Sequence, residues 1–372
     1  MENSSVATEN EKQLLAAARD GNEEAFGRLV APYRGALHAH CYRMLGSTHD
    51  AEDALQEAML RAWRGLGRFQ ARGSVKPWLY KIATNTSLDA IGKRPKRVLP
   101  VDRGPAADMA ASGPGEPLVE SVWIEPYPDE TLVVEDGSAS PEARYEEREA
   151  VELAFIAALQ HLPPQQRAVL ILREVLGYSA KEVADLLDTS VAGVNSAMQR
   201  ARAAVEERAP EQTQQQTLRA IGDDATREIV EGYMDALGRH DVDAVVAMLT
   251  EDATWSMPPL ASWFGGSLDA VAEFLRLGPL SGEWDWRHRA TWASGQPAIG
   301  AYSFDRESGA YLPFALDVLT LRGDRIAAVT AFITRSVEAT SEDYFQRWPA
   351  QPNEPAKVAA IFEACDLPSS LA

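Results

Sequence analysis

The sequence predicts a multidomain protein, two all-α domains followed by an α+β domain. Three observations predict it. Helical periodicity with capping signals runs through residues 14–97 and again through 142–208. A stretch rich in Pro, Gly and acid separates those regions and lacks sustained periodicity. Beyond residue 280 the pattern changes to alternation, the mark of strands. A chain of 372 residues can bury two or three separate cores.

Taken in order, residues 1–10 are polar and expected to fray. Residues 14–45 read as two helices broken near Gly21-Asn22, with Phe26, Leu29, Val30, Tyr33 and Leu37 as the apolar positions. Ser47-Thr-His-Asp50 has capping-box spacing and starts the next helix. On that helix Ala51, Leu55, Ala58, Ala62 and Leu66 form one stripe, and Asp50, Asp53, Glu57, Arg61 and Arg64 the opposite face. Residues 65–74 hold three glycines and read as a loop; Pro77 then sits in a first helical turn, and the helix runs to about Gly92. Residues 1–98 thus make one helical domain, 99–141 an acidic linker expected to be poorly ordered alone, and 142–208 a second helical domain. The Gln-rich run at 212–216 marks the next boundary. The last domain, 218–340, reads as helices near 224–239, 241–249 and 269–277, a Pro-rich loop at 257–263, and strands at 286–293, 298–304, 312–322 and 325–334. Gly323-Asp324 reads as a hairpin turn in a curved antiparallel sheet, and 341–372 form a tail.

The formal net charge of −19 argues against nucleic acid until its distribution is seen. Residues 1–98 carry +4, 99–140 carry −8, 141–208 carry −3 and 209–372 carry −12. From Met59 to Val98 there are ten Lys and Arg against one acid, Asp89, interleaved with Trp63, Phe69, Trp78 and Tyr80. Positive charge set among aromatic rings suits single-stranded nucleic acid, whose phosphates need charge and whose unstacked bases need rings. No long apolar run is present, so the expected location is the cytoplasm, with no membrane partner. Cys41 and Cys365 lie far apart and no His cluster accompanies them, so neither disulfide nor metal is expected, and nothing calls for a cofactor.

The second helical domain carries a helix-turn-helix pattern from Tyr178 to Arg202. Val183, Ala184 and Leu187 are read as facing inward on its first helix, Asp188-Thr-Ser as turn and cap, and Val191, Val194 and Met198 as anchors of the second. Asn195, Ser196, Gln199 and Arg200 then face outward, with Arg202 behind, and Asn or Gln pairs with adenine as Arg pairs with guanine or phosphate. Each motif has a plainer reading. Trp78 and Tyr80 suit a core equally well, basic runs often end helices in solvent, and two short helices with a tight turn occur in proteins that never touch DNA. It is the co-occurrence of a duplex reader and a cationic aromatic segment that points to a protein holding duplex and opened DNA at once.

On these residues the chain resembles an extracytoplasmic-function (ECF) sigma factor of the sigma-70 family. The match is carried by Asp50-Ala-Glu-Asp-Ala-Leu-Gln-Glu with Arg61-Ala-Trp63, by Trp78-Leu-Tyr-Lys-Ile-Ala-Thr-Asn85, by Leu162-Pro-Pro-Gln-Gln-Arg167 and by Gln199-Arg-Ala-Arg202, over about the first 208 residues. The resemblance implies a subunit that binds core RNA polymerase and promoter DNA. It implies that Asp50, Asp53, Gln56, Glu57 and Arg61 meet the polymerase clamp helices, the flap completing the contact. Phe69, Arg72, Trp78, Tyr80, Lys81 and Asn85 fall where the family reads and melts the −10 element. Asn195, Ser196, Gln199, Arg200 and Arg202 fall where it reads the −35 element. Many members carry Arg where this chain has Asn195 and Ala197, so a different −35 sequence is expected. The acidic linker could thread a polymerase channel.

Residues 218–340 resemble the SnoaL-like branch of the NTF2-like cone fold, through element order and through Tyr233-Met-Asp, Asp252-Ala-Thr-Trp255 and Pro258-Pro-Leu-Ala-Ser-Trp-Phe264. Sigma factors with such an extension include the actinobacterial sigma-G and sigma-J types; the Asp-Gly-Gly-Gly motif of one extended subgroup is absent. The fold also hosts enzymes. Trp255, Trp263, Phe264, Trp286, His288, Tyr302 and Asp317 could line a small-molecule pocket, with His288 and Asp317 or Asp252 as an acid/base pair. The alternative to a sigma factor is thus a SnoaL-like enzyme or ligand sensor with an attached helix-turn-helix. The expectation is a non-enzymatic regulatory domain that docks on the DNA-binding half, so that truncation after Arg208 alters promoter activity.

Overall fold

The computed structural model describes residues 2–69, 74–115, 122–132, 146–210, 212–306, 308–334 and 362–372, with side chains from residue 11 onward. The chain forms two compact units: 1–94 with 132–147 and 158–208, and 95–131 with 148–157 and 209–372.

The first unit is helical: α1 (Glu2–Arg19), α2 (Glu23–Val30), α3 (Arg34–Leu45), α4 (Thr48–Gly65) and α5 (Val75–Ile91). Helix α1 begins at Glu2, well before the expected Leu14, since no Gly or Pro interrupts the run. Asn22 caps α2 through the Ala25 amide at 2.9 Å, and Pro32 in a 3₁₀ turn separates α2 from α3, so three helices stand where two were expected. Ser47 caps α4 on the Asp50 amide at 3.1 Å. Leu37, Cys41, Met44, Leu55, Ala58 and Leu79 are buried, so the α4 stripe read from periodicity is the face that meets α3 and α5.

The same unit holds a second helical set. Its members within 158–208 are a helix at Pro164–Leu170 that runs on as a π turn (Ile171–Val175), then Ala180–Leu186 and Val191–Glu206. Buried Arg167 joins the two sets. Its guanidinium donates to the Met44 carbonyl, to Gln160 Oε1 at 2.6 Å, and to the Gln160 and Leu162 carbonyls at 3.1 and 3.2 Å. Gly46, at φ 71°, ends α3, and a Cβ there would stand 3.1 Å from the Gln160 side chain, so glycine is needed for both backbone and approach.

The second unit is the α+β domain. A six-stranded sheet has the order β2-β1-β6-β5-β4-β3, with β1 Leu249–Ser256, β2 Trp263–Phe264, β3 Trp286–Ala293, β4 Gln296–Asp305, β5 Ala310–Arg322 and β6 Arg325–Ile333. Strands β1 and β2 were missed because β1 alternates weakly, with Glu251 and Asp252 at its exposed middle. The sheet is not wholly antiparallel: β1 and β6 run parallel. Helices Asp223–Gly238, Val242–Ala247 and Leu268–Leu277 help enclose a core of Tyr233, Trp255, Phe264, Phe274, Ile299, Leu319 and Val329. At Gly300 a Cβ would come within 2.6 Å of Leu367 and 3.1 Å of Phe362, so the chain's last segment lies against β4.

The Gln-rich boundary and the described parts of the expected linker belong to this unit. The Gln-rich run opens a helix, Gln214–Ile221, whose first two amides are capped by buried Glu152 at 3.0 and 2.8 Å. Gln214 exchanges hydrogen bonds with Leu321, and Gln215 donates to the Gly295 carbonyl. The described parts of the acidic stretch are likewise seated. Trp263 Nε1 donates to the Gly104 carbonyl at 2.8 Å, Ala107 N to the Trp263 carbonyl at 2.8 Å, and Tyr127 and Ser294 exchange two hydrogen bonds. Trp123, Ile124 and Tyr127 are buried, and these apolar residues, not the acids around them, decide the segment's fate.

Candidate nucleic-acid interface

The helix Val191–Glu206 divides cleanly. Val194, Ala197, Met198 and Ala201 are buried, while Asn195, Ser196, Gln199, Arg200 and Arg202 are all exposed. Ser190 caps it on the Gly193 amide at 3.0 Å. Arg202 pairs with Glu174 at 2.5 Å, which turns it toward its own domain and leaves Asn195, Ser196, Gln199 and Arg200 as the outward group. Two sequence expectations are corrected. Val191 is 43% exposed, not an anchor, because it occupies the first turn beyond the core; Leu187 is only half-buried, the inward position being taken by Leu186.

On α5 the picture is mixed. Phe69 and Trp78 are half-buried and pack as a tilted pair with centroids 4.7 Å apart, and Asn85 is half-buried. Tyr80 is a core ring at 1% exposure, edge-on to His40 at 5.3 Å and Tyr178 at 6.0 Å. Lys81 is engaged by the helix-turn-helix turn: its ammonium lies 2.8 Å from Asp188 Oδ1 and donates to the Asp185 carbonyl at 3.1 Å. Asp188 holds that place with a left-handed backbone at φ 49°. Arg72 lies outside the described residues. Arg97, counted with the basic run, is buried and donates to the Trp123 carbonyl at 2.7 Å. The segment from Phe69 to Asn85 therefore shows Phe69 and Trp78 as accessible rings, with Tyr80 turned in and Lys81 paired.

The α4 face carries Asp53 and Gln56, exposed, and Glu57 and Arg61, half-buried. Arg61 bridges Glu57 and Asp89, each at 2.8 Å. Asp50 is corrected: at 4% exposure it is buried against Arg94, because the third residue of a capped helix points back over its own first turn. Arg94 also reaches Asp53 at 3.5 Å. Sequence reading passed over Leu60, which stands 50% exposed on this same face, one turn from Gln56 and Glu57.

Of the residues read as a ligand pocket, cross-strand register keeps Trp255, Phe264, His288 and Asp317 on one face of the sheet and turns Trp263 and Tyr302 to the other. Cross-strand register sets His288 opposite Ala301, and Arg287 opposite Tyr302, so His288 and Tyr302 point to opposite faces of the sheet. Tyr302 is fully buried with its hydroxyl on the Pro368 carbonyl at 2.9 Å, and Trp263 is tied to Gly104. Asp317 is buried and accepts from Tyr233 Oη at 3.2 Å, with Trp255 packed on Tyr233 at 6.2 Å; burial pushes the Asp317 carboxyl up to about 7. Asp252 pairs instead with Arg322 on the surface. Burial, then nearby His240, holds the His288 imidazole down at about 4. The proposed acid/base pair is thus replaced by an Asp–Tyr pair, whose tyrosine stood in the quoted Tyr233-Met-Asp motif.

Three regions of the chain match known protein families. The Sigma-70 region 2 family pattern matches residues 29–97, Sigma-70 region 4 matches 152–205, and the SnoaL-like domain matches 230–329. The chain is 41% identical over 333 residues to the ECF RNA polymerase sigma factor SigG of Mycobacterium tuberculosis, spanning 88% of this chain and 86% of that protein. The chain belongs to the ECF sigma factors. Similarity to SigW of Bacillus subtilis, 29% over 199 residues, covers 52% of this sigma factor and 94% of that one. The crystal structure of SigJ from Mycobacterium tuberculosis superposes with a TM-score of 0.51 at 23% identity, covering 87% of this chain and 99% of that chain, a likeness of fold. This sigma factor therefore has helical regions 2 and 4 followed by a SnoaL-like α+β domain. It acts in transcription initiation with RNA polymerase and promoter DNA. Among the described residues no helix is long and apolar enough to cross a membrane, and Cys41 and Cys365 are free, buried thiols.

Proposed function

We propose that this sigma factor reads the −35 element with Asn195, Ser196, Gln199 and Arg200, and captures unstacked −10 bases with Phe69 and Trp78, Asn85 contributing a polar contact. The observation that carries the reading is the clean division of the helix Val191–Glu206, where every short amide and hydroxyl side chain faces solvent and every core residue faces in. Asp53, Gln56, Glu57 and Arg61 supply the polymerase-facing side of α4, on the motif match and their accessibility. Lys81 joins the −10 surface only when Asp188 releases it, so promoter binding involves separation of α5 from the helix-turn-helix turn. Melting costs a few kcal/mol per unstacked step, and stacking of about 1–3 kcal/mol per base offsets it.

The SnoaL-like domain, on this reading, is regulatory and not enzymatic. Support comes from the seating of residues 95–115 and 122–131 in the C-terminal unit, which gives that unit hold of the stretch between regions 2 and 4. In vitro transcription with core polymerase over a promoter library tests the whole assignment. Specific initiation that shifts in sequence preference with Asn195→Ala and fails to melt with Trp78→Ala is the expected result; duplex binding that needs no core enzyme and supports no initiation would overturn it.

A further inference from the structure

Val191 and Ala192 form the outward tip of the reading helix, and both are exposed. They are apolar where the rest of that face is polar. The hydroxyls just before them are turned elsewhere: Ser190 Oγ accepts from the Gly193 amide, and Thr189 Oγ1 leans over Gly193, where a Cβ would come within 3.0 Å. Asn195 follows one turn after Val191, and Gln199 one turn later. A single exposed Val is commonplace on a protein surface. Here its place is the N-terminal turn of the second helix of a helix-turn-helix, the part that reaches base edges in the major groove.

We infer that this tip selects a thymine in the −35 element by packing Val191 and Ala192 on its C5 methyl, beside a base pair whose adenine is read by Asn195. Thymine alone among the four bases presents a methyl group in the major groove, and the amide of Asn matches the N6–H and N7 edge of adenine. A cytosine at the same position would present an amine donor to two alkyl side chains that cannot accept from it. The inference rests on the helix Val191–Glu206 being the −35 reader, and it adds a base identity to that reading.

The test uses the full chain with core RNA polymerase on a promoter selected from a randomised −35 library. Each −35 thymine is replaced in turn by deoxyuridine, which removes the methyl and nothing else. At one position wild-type affinity should fall about threefold to tenfold, the scale of one buried methyl group. With Val191→Ser or Ala192→Gly the same replacement should cost less than it does in wild type, because one of the two partner side chains no longer offers its methyls. Tolerance of deoxyuridine at every −35 position, or an undiminished loss in both variants, would overturn the inference. Asn195→Ala separates the two levels. If it relaxes preference at an adenine while deoxyuridine has no effect, the methyl contact alone is wrong; if it changes no base preference, the −35 reading itself falls.

Discussion

In the first unit, buried charge meets opposite charge or several oxygens: Asp50 lies on Arg94, Arg43 reaches Glu147 at 2.5 Å, and the Arg167 terminal nitrogens donate to three backbone carbonyls and Gln160 Oε1. In the second, carboxyls are buried largely against neutral donors. Asp317 faces the Tyr233 hydroxyl, Glu152 faces two helix amides, and Asp129 accepts from the Gly295 amide with Arg148 no nearer than 3.7 Å. Burial pushes Asp317 and Glu152 up to about 7 and Asp129 up to about 6. A carboxyl facing only dipoles is poised to take a proton, so the α+β unit should be linked to pH through these three groups.

The largest effect expected is from Arg167→Ala. Removing the guanidinium leaves the Met44, Gln160 and Leu162 carbonyls without their donor and should destabilise the first unit by about 3–5 kcal/mol in chemical denaturation. A loss under about 1 kcal/mol would break the contrast. Next comes the pH response of the second unit. An unfolded Asp ionises near 3.8 and the folded Asp317 near about 7, so between those values the native state holds the extra proton. Stability is then greatest at the acid end of that window and falls as pH rises through it. Thermal melts from pH 5 to 8 should show the α+β transition dropping, and Asp317→Asn should flatten that slope. His288, held down at about 4, contributes the opposite slope below pH 6.5, so an Asp317→Asn slope no flatter than the wild-type one would refute the assignment.

Trp78→Ala sharpens the contrast from the surface side, since a half-buried ring used for stacking should cost function more than fold. Open-complex formation, followed by permanganate reactivity of exposed thymines, should fall by about 1–3 kcal/mol, and a premelted template should restore it. Failure of the premelted template to rescue would assign Trp78 to packing alone. The smallest effect is Asp188→Asn. The Lys81–Asp188 pair is largely solvent-facing, with Asp188 76% exposed, so its loss should change stability by about 0.2–1 kcal/mol and vanish at high salt. Its signature is a modest gain in promoter binding at low salt, and unaltered binding would dismiss Lys81 as a restrained contact.

Much of this was legible in sequence. The stripes on α4 and on the helix Val191–Glu206 were readable because small and aliphatic residues at helical spacing have one reasonable destination. Tyr80 was not: a ring flanked by cations suits stacking and burial alike, and only the positions of His40 and Tyr178 decide. Asp50 and Lys81 escaped for another reason, since their partners lie 44 and 107 residues away. The stretch around Trp123 was misjudged because composition averages over a few buried rings. The pocket was legible only in part, since alternation alone does not fix register: Trp255, His288 and Asp317 share a face, while Tyr302 and Trp263 turn to the other.

The seat of Glu152 bears on how this protein can be cut. Region 4 by family match begins at that residue, yet Ala150, Val151, Glu152 and Leu153 are all buried, in part against the Gln214–Ile221 helix and Gln296. Severing the chain after Arg208 would strip their cover and leave an oily, newly wetted stub at the head of the promoter reader. Such a deletion tests two lesions together, an absent domain and a damaged neighbour; a point change such as Glu152→Gln in the intact chain loosens the clasp without creating the stub.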